Sequence, residues 1–297
     1  MKHIFGFSGG IDSQAAMRWG LNRFPAEDVI ATNSPAGNWE DPLTLAYIEN
    51  YSITIHPIEV CKSVVDDMWE TPGFVEVFKA KPGNEWASFL YSGMELSFEL
   101  MCIIKGRAPS RMAQFCTEKL KLIPQRRWIS QQFGVGGPFE GVDYVRYAGV
   151  RREESESRKN TPIESWDDWY DCKLVAPIAD WTKQMCFDFV KAHGEPINPL
   201  YSMGFNRVGC APCINSGRED LVMWYLKRPA MIDKVRALEQ KTGRTFFAPM
   251  VPGLPMNNID EVMDWALSLK RGGHKDQPAF PILLERPSCE SKYGLCE

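Results

Sequence analysis

A loop of small residues near the start of the chain has the composition of a phosphate-binding site. Residues 8–13 read Ser-Gly-Gly-Ile-Asp-Ser, after a short apolar run and before a helix-forming run. Glycine lets backbone N–H groups approach an anion, and the first turn of a helix adds N–H donors without intrahelical partners. The hydroxyls of Ser8 and Ser13 are further donors, and the carboxylate of Asp12 suits the Mg²⁺ that accompanies phosphates. These residue types predict a phosphate cradle.

A tight strand-to-helix turn without a ligand is the alternative interpretation of this loop. Ser-Gly-Gly alone would favour that alternative, whereas the full Ser-Gly-Gly-x-Asp-Ser pattern after a predicted first strand favours the anion site. No Gly-Lys-Ser/Thr follows the glycines, so the loop is not a Walker loop.

Cysteine usage indicates a second chemical site. The chain has nine cysteines, an odd number that does not suit a disulfide framework in a reducing compartment. Cys210 and Cys213 form a Cys-x-x-Cys late in the chain, within a loop rich in glycine and proline. A thioredoxin-type motif would directly follow a strand and open a helix, so we favour a metal or iron–sulfur site. Cys289 and Cys296 lie within the last nine residues, a concentration that packing alone does not explain.

The block Cys-Thr-Glu-Lys-Leu-Lys at residues 116–121 combines a thiol with two cations. Thr117 is a candidate cap for a helix that runs to about Phe133. Cys116 would then lie just before a helix N-terminus, where a thiolate is stabilised. Lys119 and Lys121 give the start of this helix a basic character, and a solvated helix face explains them less well than a binding role.

Three arginines follow a predicted strand at residues 145–150. The guanidinium group is a planar fork that holds phosphate or sulfate oxygens in pairs, so Arg151, Arg152 and Arg158 predict a second anion site. The alternative is a charged surface loop, because three glutamates at positions 153, 154 and 156 are available to neutralise these arginines. Composition alone leaves the two interpretations equal.

Alternating strand and helix patterns in the first half predict the element that positions these loops. Asp41 followed by Pro42 marks the start of a helix over residues 42–51. A β–α–β order implies a parallel sheet with right-handed crossovers, whose ligands lie at the carboxyl ends of the strands. The candidate strands are residues 2–7, 28–32, 52–57, 145–150 and 173–178.

The predicted fold class is therefore α/β, a parallel twisted sheet flanked by helices, with a C-terminal region that is mostly helical and loop-rich. We place a nucleotide-binding α/β domain at residues 1–195 and a cysteine-containing region packed on it at residues 196–297. The 297 residues suffice for a sizeable core.

Charge and hydropathy exclude some classes of protein. The formal net charge of −4 does not suit a whole-surface nucleic-acid binder. No apolar run is long enough to span a membrane, and the N-terminus enters a strand without the apolar core of a signal peptide. We expect a cytoplasmic protein without a membrane partner.

Four separated blocks resemble one known family when they are taken together. Residues 8–13, 116–124, 149–158 and 198–213 occur in the order seen in the phosphoadenosine phosphosulfate reductase-like family. This family has the adenine nucleotide α-hydrolase fold and includes sulfonucleotide reductases and the ATP pyrophosphatases of DNA phosphorothioation. Its phosphate loop, the PP-loop, grips the pyrophosphate of ATP while the α-phosphate is attacked. The intact loop at residues 8–13 resembles the ATP-cleaving members more than the reductases.

The resemblance implies roles for individual residues. The phosphates of an adenine nucleotide would be bound by Ser8, Gly9, Gly10, Asp12 and Ser13. The other side of the anion would be closed by residues of the later blocks, which are Lys119, Lys121, Gly149, Arg151, Arg152 and Arg158. Cys116, Cys210 and Cys213 match iron–sulfur cysteines of the family. For a 4Fe–4S cluster we choose Cys289 of the tail as the fourth ligand, with Cys296 as the other candidate and zinc as the alternative metal.

Three functions remain open at this point. The first is an ATP pyrophosphatase that uses ATP and Mg²⁺ to adenylate an acceptor for sulfur transfer, with Asp12, Arg151 and Arg158 at the reacting phosphates. A sulfur donor protein and a nucleic-acid acceptor are its candidate partners. The second is a sulfonucleotide reductase in which Cys296 attacks the sulfate sulfur. The third is a non-catalytic nucleotide-binding module with structural zinc.

Overall fold

The computed structural model describes residues 1–69, 73–247 and 256–268. Its centre is a six-stranded sheet in the order β3-β2-β1-β4-β6-β5, in which every neighbouring pair is parallel except the antiparallel pair β5–β6. Helices cover both faces of this sheet, so the predicted α/β class is confirmed.

The strands and helices follow one another in the order that the β–α–β pattern predicts. The strands are β1 (Lys2–Gly6), β2 (Val29–Asn33), β3 (Ile58–Val60), β4 (Tyr144–Tyr147), β5 (Glu164–Asp167) and β6 (Cys172–Val175). The helices are α1 (Ile11–Leu21), α2 (Pro42–Thr54), α3 (Phe74–Lys79), α4 (Phe98–Lys105), α5 (Phe115–Thr117), α6 (Ile123–Phe133), α7 (Lys183–Ala192), α8 (Pro199–Ser202), α9 (Arg218–Lys227), α10 (Pro229–Thr242) and α11 (Ile259–Leu267). None of the described helices is long and apolar enough to cross a membrane.

Alternation along β1 builds a separate core on each face of the sheet. Phe5 packs with Met17 of α1 and Val190 of α7 on one face. Ile4 packs with Leu122 and Ile129, just before and within α6, on the opposite face. Successive side chains of a strand point to opposite faces, so β1 is buried on both sides as a central parallel strand must be.

A third hydrophobic cluster joins the later helices to the middle of the chain. Trp39, Phe98 and Met101 pack with Leu221 and Val235 of α9 and α10. This core contains residues from both sides of position 195. The domain boundary remains a prediction.

Two expectations about local structure were wrong, and one strand was missed. Residues 52–57 are not a strand, because α2 continues to Thr54 and the third strand is Ile58–Val60. Thr117 does not cap a helix, since helical structure begins at Phe115 and continues through a π-helical turn at Glu118–Leu122 into α6. The antiparallel edge strand β5 was not predicted. Asp41 does cap α2, where its side chain accepts a hydrogen bond from the Leu43 amide at 2.8 Å.

Candidate functional site

A cleft opens where β1, β2 and β4 reach their carboxyl ends. The empty space inside it, counted together with the open solvent at its mouth, is about 870 Å³. Polar and charged residues from four separate segments line it, which are Ser8, Ser13, Thr32, Asn33, Ser34, Glu40, Lys121, Gln125, Arg146 and Arg158. This is the edge of a parallel sheet at which ligands bind.

The loop between β1 and α1 presents hydrogen-bond donors at this cleft. Gly9 has a φ of +80°, and a Cβ there would lie 3.1 Å from side-chain atoms of Thr44 and Ile48, so this position requires glycine. Within the described chain, the amides of Gly9, Asp12 and Ser13 donate to no protein acceptor. Three free amides at the start of an eleven-residue helix form an anion-binding arrangement.

Hydroxyl groups complete the donor set of the loop. The Oγ atoms of Ser8 and Ser13 are 3.1 Å apart, and Ser13 Oγ also donates to the Gly10 carbonyl at 2.9 Å. Both serines line the cleft, whereas Gly9 and Gly10 contribute backbone just outside the lining. The loop therefore offers amide and hydroxyl donors and no anionic group of its own at the cleft surface.

Asp12 and Arg151 form a buried ion pair. The Arg151 Nε atom lies 2.8 Å from Asp12 Oδ1, and the exposed fractions of these side chains are 5% and 0%. Neither residue lines the cleft. The geometry gives Asp12 a partner other than Mg²⁺ and gives Arg151 a structural contact with the first turn of α1.

Gly149 lies against that same helical turn. A Cβ at Gly149 would stand 2.7 Å from the carbonyl carbon and oxygen of Asp12 and 2.8 Å from Ser13 Cα. Such distances are impossible for a real side chain, so only glycine lets the end of β4 approach the phosphate loop this closely. Gly149 thus packs against the phosphate loop, and its binding role stays a prediction.

The remaining predicted cations occupy different environments. Arg158 lines the cleft and is ion-paired with the buried carboxylate of Glu154. Arg152 is ion-paired with Asp180 and is one-third exposed. Lys119 lies 2.9 Å from Glu118 and does not line the cleft. Of the predicted cations, Lys121 and Arg158 are thus the two that line the cleft.

A smaller pocket of about 400 Å³ adjoins the cleft and gathers three cysteines. Cys116 of α5 lines it together with Cys210 and Cys213. Lys121 lines both this pocket and the cleft. The structure therefore brings together the three described cysteines that the sequence assigned to one site. Cys289 and Cys296 lie outside the described residues.

The cysteine loop is attached to the segment after β2. The Ala211 amide donates to the Trp39 carbonyl at 2.8 Å, and the Trp39 indole N–H donates to the Pro212 carbonyl at 3.0 Å. Glu40 and Cys210 form an antiparallel bridge. These contacts hold the Cys-x-x-Cys beside the cleft.

Burial raises the pKa of two of these thiols, Cys116 and Cys210. It raises the pKa of Cys116 to about 12, and the neighbouring Cys210 acts in the same direction. Burial also raises the pKa of Cys210 to about 11, although Lys121 opposes this shift. The pKa of Lys121 is lowered by burial but raised more strongly by Cys210 and Glu40, so the net direction is upward and the side chain is a cation.

Three thiols on one wall are a soft donor set that suits zinc or an iron–sulfur cluster. In the portion of the chain that the structure covers, no group of three or more His, Cys, Asp or Glu side chains is arranged to hold a metal ion. The three cysteines therefore share a pocket and match such a group in ligand type, but their arrangement in the structure does not form a metal site. A fourth ligand and a closing of the thiols around the metal are still required.

Several cleft residues were not predicted from the sequence. Gln125 donates to Thr32 Oγ1 at 2.7 Å and accepts from Arg146 at 2.8 Å, and Arg146 is also ion-paired with Asp167 at 2.6 Å. Glu40 lies in the wall, where burial raises its pKa and its Oε2 atom has no hydrogen-bond partner in the described residues. The position of Glu40 soon after the second strand was the one available signal.

Comparisons with known proteins find similarity over part of this chain. Residues 139–216 match the phosphoadenosine phosphosulfate reductase domain. An uncharacterized 37.8 kDa protein of Escherichia phage 186 is 32% identical over 219 residues, which are 66% of this chain and 64% of that protein. The adenosine 5′-phosphosulfate reductase of Streptomyces coelicolor is 45% identical over 65 residues, or 22% of this chain and 28% of that enzyme. The corresponding enzyme of Allochromatium vinosum is 31% identical over 105 residues, or 35% and 36%.

The chain thus spans less than two thirds of the length of each of these relatives. A crystal structure of phosphoadenylyl-sulfate reductase from Candida auris, a phosphate complex, aligns with a TM-score of 0.43 at 12% identity, over 71% of this chain and 81% of that one. The matched domain contains the arginine block and the Cys-x-x-Cys described above. Residues 139–216 of this chain are thus similar to the phosphoadenosine phosphosulfate reductase domain, and limited parts of the chain are similar to adenosine 5′-phosphosulfate reductases.

Proposed function

We propose that this chain binds ATP in the strand-end cleft and adenylates an acceptor for sulfur transfer, releasing pyrophosphate. One observation carries the proposal: the phosphate loop has free amides, its two serines line the strand-end cleft, and Lys121 lines both that cleft and a pocket with three cysteines. The similarity of part of the chain to the phosphoadenosine phosphosulfate reductase domain supports a reaction at an adenine nucleotide.

The charges of the cleft suit the proposed reaction. Pyrophosphate leaving from the α-phosphate carries the developing negative charge, and fixed donors that stabilise such charge are the main contribution to phosphoryl-transfer catalysis. Lys121, Arg146 and Arg158 are the cations that line the cleft in the described chain, and Ser13, whose amide is free, lines the same space. An acceptor oxygen forms a bond to the α-phosphorus while the bridge to the β-phosphate breaks. A sulfur nucleophile then displaces AMP.

A Mg²⁺ ion that accompanies ATP would find one carboxylate in the described wall, that of Glu40. Its Oε2 atom has no hydrogen-bond partner there, and oxygen is the ligand that Mg²⁺ prefers. We therefore assign Glu40 as the better placed magnesium ligand, since Asp12 is engaged by Arg151.

Cys116, Cys210 and Cys213 would hold the 4Fe–4S cluster, which supplies a site where sulfur or electrons are passed when it is bound. The tail cysteines at positions 289 and 296 stay the proposed fourth ligand and reactive thiol. A sulfur donor protein and a nucleic-acid acceptor stay proposed partners, and a cytoplasmic location is part of the same proposal.

A sulfonucleotide reductase is the second candidate. Named reductases of Streptomyces coelicolor and Allochromatium vinosum match a limited part of this chain. Their names favour sulfate reduction over ATP cleavage as the reaction. The same cleft donors would then hold the phosphosulfate anion.

A product assay separates the two candidates. Anaerobically purified protein is incubated with MgATP, or with adenosine 5′-phosphosulfate and a thiol reductant, together with candidate nucleic-acid and small-molecule acceptors. We expect AMP and pyrophosphate from ATP, detected by mass spectrometry, and no sulfite. Sulfite from the sulfonucleotide without ATP cleavage would overturn the adenylation proposal in favour of the reductase. Binding of either nucleotide without turnover would instead favour the non-catalytic module.

A further inference from the structure

The segment that leads to the cysteine loop also holds the phosphate loop. The Asn198 side chain, which is 1% exposed, donates from Nδ2 to the Gly9 carbonyl at 3.3 Å and to Thr44 Oγ1 at 3.1 Å. The Tyr201 hydroxyl accepts a hydrogen bond from the Ile11 amide at 2.9 Å. One short segment therefore binds the phosphate loop on both sides of Gly10.

The path from this segment to the cysteines is short and hydrogen-bonded. Asn198 also caps α8, accepting from the Leu200 amide at 3.1 Å, and the Phe205 amide donates to the Leu200 carbonyl at 3.1 Å. Further along the chain, Cys210 forms an antiparallel β-bridge with Glu40. Because this segment is short and hydrogen-bonded, we expect a movement of Tyr201 to shift the cysteine loop as well.

Ring packing fixes Tyr201 independently of its hydroxyl. Its ring meets Phe187 edge-on with centroids 5.0 Å apart, and Lys183 Nζ lies 5.6 Å from the ring centroid. Removing the hydroxyl thus leaves these contacts in place. The Tyr201 hydroxyl contacts the phosphate loop through its hydrogen bond with the Ile11 amide.

We propose that Tyr201 and Asn198 are positioning residues that couple occupation of the phosphate loop to the order of the cysteine loop. The inference rests on the proposed binding of a nucleotide at this loop. A coupling of this kind is a free energy shared by two sites and acts equally in both directions. Anion binding steadies the loop amides, the Tyr201 hydroxyl transmits that order, and residues 202–216 become less mobile.

Hydrogen exchange measured by mass spectrometry tests the coupling on the full chain as purified. The protein is compared alone, with saturating MgATP and with saturating inorganic pyrophosphate. Peptides that cover residues 8–14 and residues 202–216 are followed separately. The variant is Tyr201→Phe. The matched control is Tyr144→Phe, because the Tyr144 hydroxyl donates to the Tyr170 carbonyl at 2.8 Å and does not contact the phosphate loop.

In the parent protein and in Tyr144→Phe, we expect either ligand to slow exchange in both peptides, by about fivefold or more in residues 202–216. In Tyr201→Phe at saturating ligand, residues 8–14 stay protected and residues 202–216 lose most of their protection. The affinity for ligand also falls by about two- to tenfold, as expected for one lost hydrogen bond.

Two outcomes would overturn the coupling. One is full protection of residues 202–216 in ligand-saturated Tyr201→Phe, which would mean direct shielding by the ligand. The other is a parent protein in which neither ligand protects residues 202–216, whether or not residues 8–14 are protected. Failure of the proposed function has a different signature, in which pyrophosphate protects both peptides while ATP protects neither.

Discussion

Replacing Gly149 with alanine adds one methyl group at the closest approach between β4 and the phosphate loop. The new Cβ would lie 2.7 Å from the Asp12 carbonyl carbon and oxygen. Non-bonded carbon atoms are comfortable at about 3.5 Å, so the two backbones must separate by roughly 0.8 Å. Because the opposing atoms are backbone in the first turn of α1, a change of side-chain rotamer cannot relieve the clash.

We expect two linked effects of Gly149→Ala. Overpacking lowers the free energy of unfolding by about 2 kcal/mol, within the usual range for an added methyl group in a tightly packed site. The displaced α1 turn carries the free amides of Asp12 and Ser13, so nucleotide affinity falls by about tenfold, or 1.4 kcal/mol. Urea denaturation measures the first quantity and calorimetric titration with MgATP measures the second.

Gly6→Ala is the matched control, because it makes the same chemical change in the same cleft. A Cβ at Gly6 meets nothing within 4 Å. Stability should be unchanged or should rise by up to about 1 kcal/mol as the unfolded chain loses freedom. A Gly149→Ala protein with the stability and affinity of the parent would refute the steric argument, and equal losses in both variants would show that the effect is not specific to the close approach.

The remaining predictions concern the buried ion pair and the cysteine pocket. Arg151→Ala leaves the Asp12 carboxylate buried without this ion pair and should lower the free energy of unfolding by about 3–5 kcal/mol. Arg152→Ala, at a partly exposed ion pair with Asp180, should lower it by about 1 kcal/mol. Similar urea midpoints for the two variants would contradict this difference. Protein purified without oxygen should be brown and carry about four iron and four sulfide per chain, and Cys210→Ser should lose both while Cys186→Ser, in the core between the sheet and α7, retains them. A colourless sample with about one zinc per chain would instead identify a structural zinc site.

The parts of the molecule that the sequence predicted correctly are those that local chemistry dictates. The Ser-Gly-Gly-x-Asp-Ser loop lies between β1 and α1 because its glycines permit the turn, and Asp41 caps α2 because an aspartate before a proline does so in most contexts. Cys116, Cys210 and Cys213 share a pocket, as the family resemblance implied.

The features that the sequence did not predict depend on partners far along the chain. Gln125 lines the cleft through a hydrogen bond to Thr32, which lies 93 residues away. Arg151 is ion-paired with the buried carboxylate of Asp12, and burial of both groups has no local signature, while its role at an anion stays a prediction. Residues 52–57 resembled a strand because α2 ends in β-branched residues, and contacts with the sheet outweighed that propensity.

The attachment of the cysteine loop to the end of β2 has a consequence for how the protein folds. The hydrogen bond from Trp39 to Pro212 joins residues that are 173 positions apart. Contacts of such long range form late, since the entropy of closing the intervening chain must be overcome first. The thiol pocket is therefore among the last features to assemble during refolding. Acquisition of a metal there would report completion of the fold rather than nucleate it, in contrast to small zinc domains whose folding the ion itself drives.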